Sequence, residues 1–343
     1  MRRVVVSLLI VVLAIAPVAV LFASGASEEP GVQRHAFVFK NTGNPYGEKQ
    51  MEGFQEGIEE QGGEAILRAP DQPTAEAQIQ IIEQLIAQQV ASISITGNDY
   101  DALEPVLTRA MDSGISVLSA DSAVNPNSRL THINQADSEM IGRTLIQAAY
   151  DMADGAGDIA ILSATSQASN QNLWIEWMQT ELDENPDKYA DLNLVRIAYG
   201  DDLRDKSVSE TEALLQSFPD LEVIIAPTTV GIAAAGRVIT DRGLIGDVYV
   251  TGLGLPSEMA EYIENGACPY MFLWNPIDVG YLTAYAAVAA VNGDITGAAG
   301  ETFSAGRLGD FEIVEASDGG TEVLLGAPFR FDPSNIDEWK DVY

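Results

Sequence analysis

Short apolar runs alternate with amphipathic stretches along most of the chain, and this alternation constrains the fold more than any other feature. In one intervening stretch, Ile79, Ile82, Leu85 and Ile86 fall on a single face of a helix. Apolar, β-branched runs separated by helices are typical of βαβ units, which build a parallel sheet with helices on both faces. The predicted strands are 35–40, 64–69, 90–96, 115–120, 158–163, 192–198, 222–226, 247–251 and 270–274.

The number of predicted strands and the length of the chain together indicate two lobes. So many strands exceed a typical sheet, and 343 residues exceed what one ordinary hydrophobic core supports. The alternation pauses at the turn-rich segment 122–129, after which a helix is predicted over 136–153. A last helix is predicted over 276–291, and the Gly-rich segment 302–331 is predicted to form short antiparallel strands. The sequence therefore predicts the α/β class, with two doubly wound parallel-sheet lobes.

The acidic composition and the scarcity of Cys and His exclude several kinds of partner. Asp and Glu number 51 against 18 Lys and Arg, which gives a formal charge of −33. Such a surface repels phosphate backbones, so no nucleic-acid partner is expected. The single Cys, Cys268, has no intramolecular disulfide partner, and His35 and His132 leave little for a zinc site. We predict neither a metal nor a cofactor.

Motifs typical of enzymes are incomplete in this chain. Gly252-Leu-Gly254 lacks the third glycine of a dinucleotide-binding motif, and there is no Gly-x-Ser-x-Gly nucleophile elbow. A sugar hydrolase would need a placed pair of carboxylates, for which the strand ends offer only Asp121 with Asp99 or Asp278. We therefore predict a protein that is not an enzyme and has no catalytic residues.

The first 26 residues have the composition of a secretory signal peptide. Arg2 and Arg3 precede the apolar run 4–22, and the small residues 23–26 come just before an acidic segment. We predict cleavage after Ala26 and an exported, periplasmic or extracytoplasmic protein. The alternative is a retained membrane anchor, since the apolar run approaches the roughly 20 residues that span a bilayer.

The candidate binding residues follow the predicted strands, because ligands of open parallel sheets bind beyond the carboxyl ends of their strands. Amides and carboxylates make paired hydrogen bonds that suit adjacent hydroxyls, and aromatic rings suit the apolar face of a sugar. With Lys40 as the sole cation at these ends, a neutral polyol fits better than a phosphate. The candidates are Lys40, Asn41, Asn44, Asp121, Asn170, Gln171, Trp174, Pro227, Thr229, Leu255, Trp274 and Asn275.

Each candidate has an alternative structural role. Asn and Asp residues after a strand commonly cap the next helix, although Asp121 also ends a strand at the predicted lobe boundary. Lys40 could be solvated, and Trp274 could belong to the core. Trp174 and Trp177 lie three residues apart on a helix, so one of them is expected to face the core.

The chain resembles the periplasmic sugar-binding proteins of ABC importers, of the type I class that includes ribose-binding protein. Within that class it is most similar to the rhamnose-binding and autoinducer-2-binding branch. The resemblance covers essentially the whole chain after the predicted signal peptide. It is carried by the segments 40–45, 120–122, 170–174, 227–233 and 273–281.

This resemblance implies ligand-binding roles for Lys40, Asp121, Asn170, Gln171, Pro227 and Thr229. Two positions depart from the autoinducer-2 receptors, in which Asn170 is replaced by Asp and Thr229 by Ala. Both departures are similar to the rhamnose-binding branch. The expected function is therefore a receptor that binds a monosaccharide, rhamnose or a related deoxyhexose, between its lobes and delivers it to the membrane subunits of an ABC permease. An autoinducer-2 receptor for uptake or signalling is the alternative, and a monomer is expected.

The resemblance also implies three crossings of the chain between the lobes, which together form a hinge. We place them near Ile133, Asn275 and Phe303. The N-terminal lobe would then comprise 31–133 with 276–303, and the C-terminal lobe 134–275 with 304–343.

Overall fold

The computed structural model describes residues 32–343, so the predicted signal peptide lies outside the described residues. The strands are β1 (Arg34–Val38), β2 (Glu64–Arg68), β3 (Ser92–Ile95), β4 (Ser116–Ala120), β5 (His132–Ala136), β6 (Gly157–Ser163), β7 (Leu192–Tyr199), β8 (Leu221–Ala226), β9 (Tyr249–Gly252), β10 (Met271–Leu273), β11 (Thr302–Ser304), β12 (Asp310–Glu312), β13 (Val314–Glu315), β14 (Thr321–Gly326) and β15 (Phe329–Phe331). Each run predicted as a strand from the sequence overlaps one of these strands.

The helices alternate with the strands as the amphipathic stretches predict. They are α1 (Pro45–Glu60), α2 (Ala75–Ala87), α3 (Glu104–Asp112), α4 (Ser138–Met152), α5 (Ser169–Glu184), α6 (Arg204–Ser217), α7 (Thr229–Asp241), α8 (Pro256–Glu264), α9 (Pro276–Asn292) and α10 (Ile336–Trp339). Within residues 32–343, no helix combines the length and apolarity needed to cross a bilayer.

Two parallel sheets organise the chain. The larger has the order β13-β14-β5-β4-β3-β1-β2, in which all neighbours are parallel except the pair β13 and β14. The smaller is wholly parallel, with the order β7-β6-β8-β9. In the larger sheet β1 lies between β2 and β3, and in the smaller sheet β6 lies between β7 and β8. The order in which the strands are added therefore changes direction beside β1 and beside β6. These parallel sheets with intervening helices confirm the predicted α/β class.

Strand β5 and the tail of the chain differ from the expectation. The sequence placed 132–135 before a helix, whereas His132–Ala136 forms β5 and the helix begins at Ser138. The sequence also assigned 304–343 to the C-terminal lobe, whereas β13 and β14 extend the larger sheet. Val323 of β14 pairs with Ile133 and is fully buried, so β14 covers apolar surface that β5 would otherwise expose at the sheet edge.

The chain accordingly passes between the two sheets at three places. The first passage lies between β5 and α4, and the second lies between β10 and α9, around Asn275. The third lies between β14 and β15, since β15 pairs with β10, and it therefore follows Gly326 instead of Phe303. The exact lobe boundaries stay a prediction.

Helices α1 and α9 pack against each other through two glycines. A Cβ atom at Gly280 would lie 1.8 Å from the Gln50 carbonyl oxygen, and one at Gly53 would lie 1.9 Å from the Ile277 carbonyl oxygen. Only glycine permits so close an approach of two helix backbones. Because α1 begins just before Tyr46 and α9 just after Trp274, this contact also sets the spacing of two aromatic side chains.

We expect Gly280→Ala to lower the free energy of unfolding by about 2–3 kcal/mol, because the added methyl group pushes α9 away from α1. Urea denaturation of the purified variant measures this loss. Gly326→Ala is the control, since a Cβ there meets nothing within 4 Å, and it should change the stability by less than about 0.5 kcal/mol. Equal stabilities of the two variants would contradict the proposed role of the glycine contact.

Candidate ligand-binding site

A cavity lies where the carboxyl ends of both sheets meet. The larger sheet contributes residues that follow β1 and β4, and the smaller sheet contributes residues that follow β6, β7 and β8. Ligands of open α/β sheets bind where the strand order reverses, and the cavity lies beside that point in both sheets. The cavity has an empty volume of about 370 Å³, which includes the open solvent at its mouth. It is lined by Phe39, Lys40, Asn44, Tyr46, Asp121, Asn170, Gln171, Trp174, Asp202, Pro227, Thr228, Thr229, Leu253, Leu273 and Trp274.

The cavity brings together most of the residues that the sequence singled out, although they are far apart along the chain. These are Lys40, Asn44, Asp121, Asn170, Gln171, Trp174, Pro227, Thr229 and Trp274. Residues from both sheets are among them, so the site depends on the way the chain passes between the sheets.

Three predicted residues are not among those that line the cavity. The Asn275 side chain accepts a hydrogen bond from the Ile277 N–H (3.0 Å) and so caps α9. Asn41 donates to the Thr42 carbonyl (3.3 Å), and Leu255 is buried in the core at the start of α8. For Asn275 the helix-capping alternative is the observed structural role. Asn44 caps α1 and also lines the cavity.

Asn170 connects the polar groups of the two sheets. Its side-chain oxygen accepts a hydrogen bond from the Lys40 ammonium (3.4 Å), and its side-chain N–H donates to Asp121 Oδ1 (3.3 Å). Lys40 and Asp121 follow strands of the larger sheet, whereas Asn170 lies at the start of α5, after the smaller sheet's β6. An amide is the side chain that can accept from a cation and donate to a carboxylate at the same time. A carboxylate at position 170 would face Asp121 with like charge.

Asp121 is held in an unusual backbone conformation. Its φ of +62° lies in the left-handed region, which Asp tolerates better than most residues, and its N–H donates to the Ile133 carbonyl (3.1 Å). Burial raises the pKa of its carboxyl from 3.8 to about 6. Lys40 opposes this rise and Asp202 adds to it, while hydrogen bonds from Asn170 and Tyr46 oppose it.

Three aromatic rings form a continuous wall of the cavity. The Trp174 and Trp274 ring centroids are 5.9 Å apart, and the Tyr46 ring meets Trp274 edge to face at 6.4 Å. The Trp274 indole N–H donates to the Tyr46 hydroxyl (2.7 Å). Burial, followed by the nearby Asp121 charge, raises the pKa of Tyr46 well above its usual value. The rings are therefore neutral, and the Tyr46 hydroxyl lies within hydrogen-bonding reach of the Asp121 carboxyl.

Trp174 has a polar atom without a partner. Its side chain is nearly fully buried, and its indole N–H makes no hydrogen bond to any residue in 32–343. A buried donor left unpaired costs about 1–3 kcal/mol. A bound molecule with an oxygen at this point would remove that cost.

A layer of buried amides positions the residues that line the cavity. Gln78 donates to the Phe39 carbonyl (3.1 Å), and Asn98 donates to the Lys40 carbonyl (2.8 Å), which fixes the backbone after β1. The Gln171 side-chain oxygen accepts from both the Ser163 hydroxyl and the Ala164 N–H at 2.7 Å. Both lobes therefore present pre-arranged strand ends to the cavity.

Sequence reasoning missed six of the residues that line the cavity. Phe39, Thr228 and Leu273 immediately precede or follow predicted residues and Leu253 lies two residues before Leu255, so naming whole strand ends would have included all four. Tyr46 lies in the first turn of α1 and was passed over for its neighbours. Asp202 follows β7, so it obeys the rule that ligands bind beyond the carboxyl ends of parallel strands, although the residues after that strand were not among the candidates.

The donor set of the cavity suits an uncharged, polyhydroxylated molecule better than a metal ion. Among residues 32–343, no group of three or more His, Cys, Asp or Glu side chains is placed to hold a metal. Charged and amide groups and aromatic rings both line the cavity. Such a site can hold a small amphipathic ligand between two α/β lobes, which defines the class as a small-molecule binding protein.

The periplasmic binding protein domain family matches residues 35–295, and the chain belongs to that family. An ABC transporter solute-binding protein from Clostridium phytofermentas, solved with bound L-rhamnose, is 50% identical with a TM-score of 0.89. The match covers 91% of this chain and 99% of that one. The resemblance to sugar-binding proteins of ABC importers and the type I fold are thereby confirmed.

Two more distant proteins are also similar to this chain. LsrB from Clostridium saccharobutylicum, solved in complex with AI-2, is 22% identical with a TM-score of 0.83, covering 89% of this chain and 99% of that one. The D-ribose/D-allose-binding protein of Pseudomonas aeruginosa is 23% identical over 252 residues, which are 70% of this chain and 76% of the relative.

We expect the Asp121 carboxyl of the ligand-free protein to titrate near pH 6. Because this pKa exceeds the value of about 3.9 in an unfolded chain, the folded state favours the protonated carboxyl. The stability that this group contributes is present below about pH 4 and is lost as the pH rises through 6. Carbon-13 NMR of Asp-labelled protein measures the midpoint, and Asp121→Asn assigns the resonance. A midpoint below about pH 4 would contradict the inferred burial of the charge.

Proposed function

We propose that this protein is an extracytoplasmic solute receptor that binds a monosaccharide, rhamnose or a related deoxyhexose, between its two lobes. It then delivers the sugar to the membrane subunits of an ABC permease. The observation that carries the proposal is that buried charged and amide groups and three neighbouring aromatic rings line one cavity. A 6-deoxy sugar offers matching groups, with hydroxyls on its ring and an apolar methyl group.

The polar groups that line the cavity match adjacent hydroxyls of a sugar. The Asp121 carboxylate accepts hydrogen bonds, Lys40 donates them, and the Asn170 amide does both. All three are buried, so hydrogen bonds to a sugar form in a region of low dielectric and are stronger than in water. The aromatic rings of Tyr46, Trp174 and Trp274 offer apolar area for the C–H face and the methyl group of the sugar.

The comparison with known proteins supports the same ligand class. The solved relative at 50% identity holds L-rhamnose, and the match extends over 91% of this chain. Family membership supports a receptor role in an ABC importer, and we propose that the protein acts as an exported monomer. The predicted signal peptide is part of this proposal.

An autoinducer-2 receptor is the second candidate function. Lys40, Asp121, Gln171 and Pro227, which correspond to ligand residues of those receptors by resemblance, line one cavity here. The amide of Asn170, where those receptors carry Asp, favours the sugar. Competition between L-rhamnose and AI-2 for the purified protein decides between them, because the true ligand displaces the other at the lower concentration.

We expect saturating L-rhamnose to raise the melting temperature of the protein by several degrees, since a ligand at a hundred times its Kd stabilises by about 2.7 kcal/mol. Asp121→Ala should abolish this shift while the ligand-free variant remains folded. Differential scanning calorimetry of both proteins, with and without the sugar, measures the effect.

The matched control is Asp99→Ala. Asp99 also follows a strand, but its side chain accepts from the Asp101 and Ala102 N–H groups (3.0 and 2.9 Å) and does not line the cavity. This variant should keep the full ligand-dependent shift. An unchanged shift in Asp121→Ala would remove Asp121 from the site, and no shift in the wild type would contradict rhamnose binding.

Trp174→Phe should weaken rhamnose binding about tenfold, because it deletes the unpartnered indole N–H that we expect to donate to the sugar. Isothermal titration calorimetry measures Kd for each protein. Trp177→Phe is the control three residues along the same helix, since Trp177 packs beneath Arg143 and does not line the cavity. A loss of affinity in the control as large as in Trp174→Phe would contradict a direct contact.

A further inference from the structure

Two neighbouring acidic residues after β7 have the same backbone conformation but different surroundings. Asp201 and Asp202 are both left-handed, with φ of 55° and 53°. The Asp201 side chain is partly exposed and pairs with Lys206 (2.5 Å). Asp202 is buried and lines the cavity.

One oxygen of the Asp202 carboxylate accepts a hydrogen bond, and the other has no partner among the described residues. The Thr228 hydroxyl, at the N-terminus of α7, donates a hydrogen bond to Asp202 Oδ1. The second carboxylate oxygen accepts no hydrogen bond from any side chain or backbone group of the described chain. Thr228 therefore fixes the direction in which Asp202 points.

Asp202 changes the charge balance of the cavity. The charged residues that line it are Lys40, Asp121 and Asp202, so two carboxylates face one ammonium. The charge of Asp202 also contributes to the raised pKa of Asp121, as expected for two carboxylates that line one cavity. Lys40 is directed toward Asn170, on the Asp121 side. A ligand that enters therefore meets an excess of negative charge.

We propose that Asp202 is a specificity-determining residue, which makes the cavity select uncharged or cationic polyols and reject anionic ones such as sugar acids and sugar phosphates. This inference rests on the proposed function, since it describes how the same site chooses among sugars. Carboxylates at fixed positions in a desolvated cavity repel an anion much more strongly than they would in water. They also accept hydrogen bonds from the hydroxyls of a neutral sugar.

A pair of ligands with the same shape and different charge tests the proposal. The probes are L-rhamnose and its ring-nitrogen analogue, an imino sugar, used at a pH at which the nitrogen carries its proton. Isothermal titration calorimetry gives Kd for each. In wild-type protein, the cation should bind at least as tightly as the neutral sugar. In Asp202→Asn, the preference for the cation should fall about tenfold.

Asp201→Asn is the matched control, because it removes the same charge from the adjacent residue with the same φ. The preference for the cation should be unchanged in this variant. Equal preferences in wild type and Asp202→Asn would overturn the proposal, as would equal losses in both variants.

A measurement without ligand separates failure of this inference from failure of the proposed function. If the wild type binds neither probe, the proposal that the protein binds a deoxyhexose is contradicted. The titration of Asp121 then tests the proposed role of Asp202 without a ligand. The pKa of Asp121 should fall in ligand-free Asp202→Asn and stay unchanged in Asp201→Asn, since only Asp202 faces it. If the pKa of Asp121 is unchanged in Asp202→Asn, the two carboxylates do not interact, and the inference is overturned whatever the ligand is.

Discussion

The structure of the site depends on the hydrogen bonds that join Lys40, Asn170 and Asp121. A buried ammonium and a buried carboxylate are tolerated only with partners, and the Asn170 amide serves both at once. Because these residues come from different sheets, their contact fixes how the two sets of strand ends face each other. The aromatic wall, the supporting amides and the packing of α1 on α9 all serve to keep this small polar group in place.

The positions of the strands and most of the cavity could be predicted from the sequence for two general reasons. Apolar runs such as 222–226 are local signals of buried strands and need no knowledge of the fold. The carboxyl ends of parallel strands share one edge, so Lys40, Asp121 and Pro227 could be placed together without any contact being known. The first rule accounts for the prediction of the α/β class, and the second accounts for the prediction of cavity residues from both sheets.

Other features depend on contacts that the sequence does not record. Strand β5 has the mixed sequence His-Ile-Asn-Gln-Ala, and it becomes a strand because β4 and β14 pair with it on either side. The position of β14 could not be predicted because a short strand carries no sign of which sheet it joins. The roles of Asn275 and Asn44 differ although both follow strands and cap helices, since only the surroundings decide whether a cap also faces a ligand.

The left-handed backbone at Asp121 limits the substitutions that this position can accept. Glycine, Asn and Asp occupy such a conformation readily, whereas β-branched and bulky residues are strained there. Directed evolution toward a new ligand could therefore use only Gly, Asn and Asp readily at position 121, and Gly has no functional group. Diversity would have to come from positions such as Thr229, which has an ordinary helical backbone, and libraries centred there would yield more folded members.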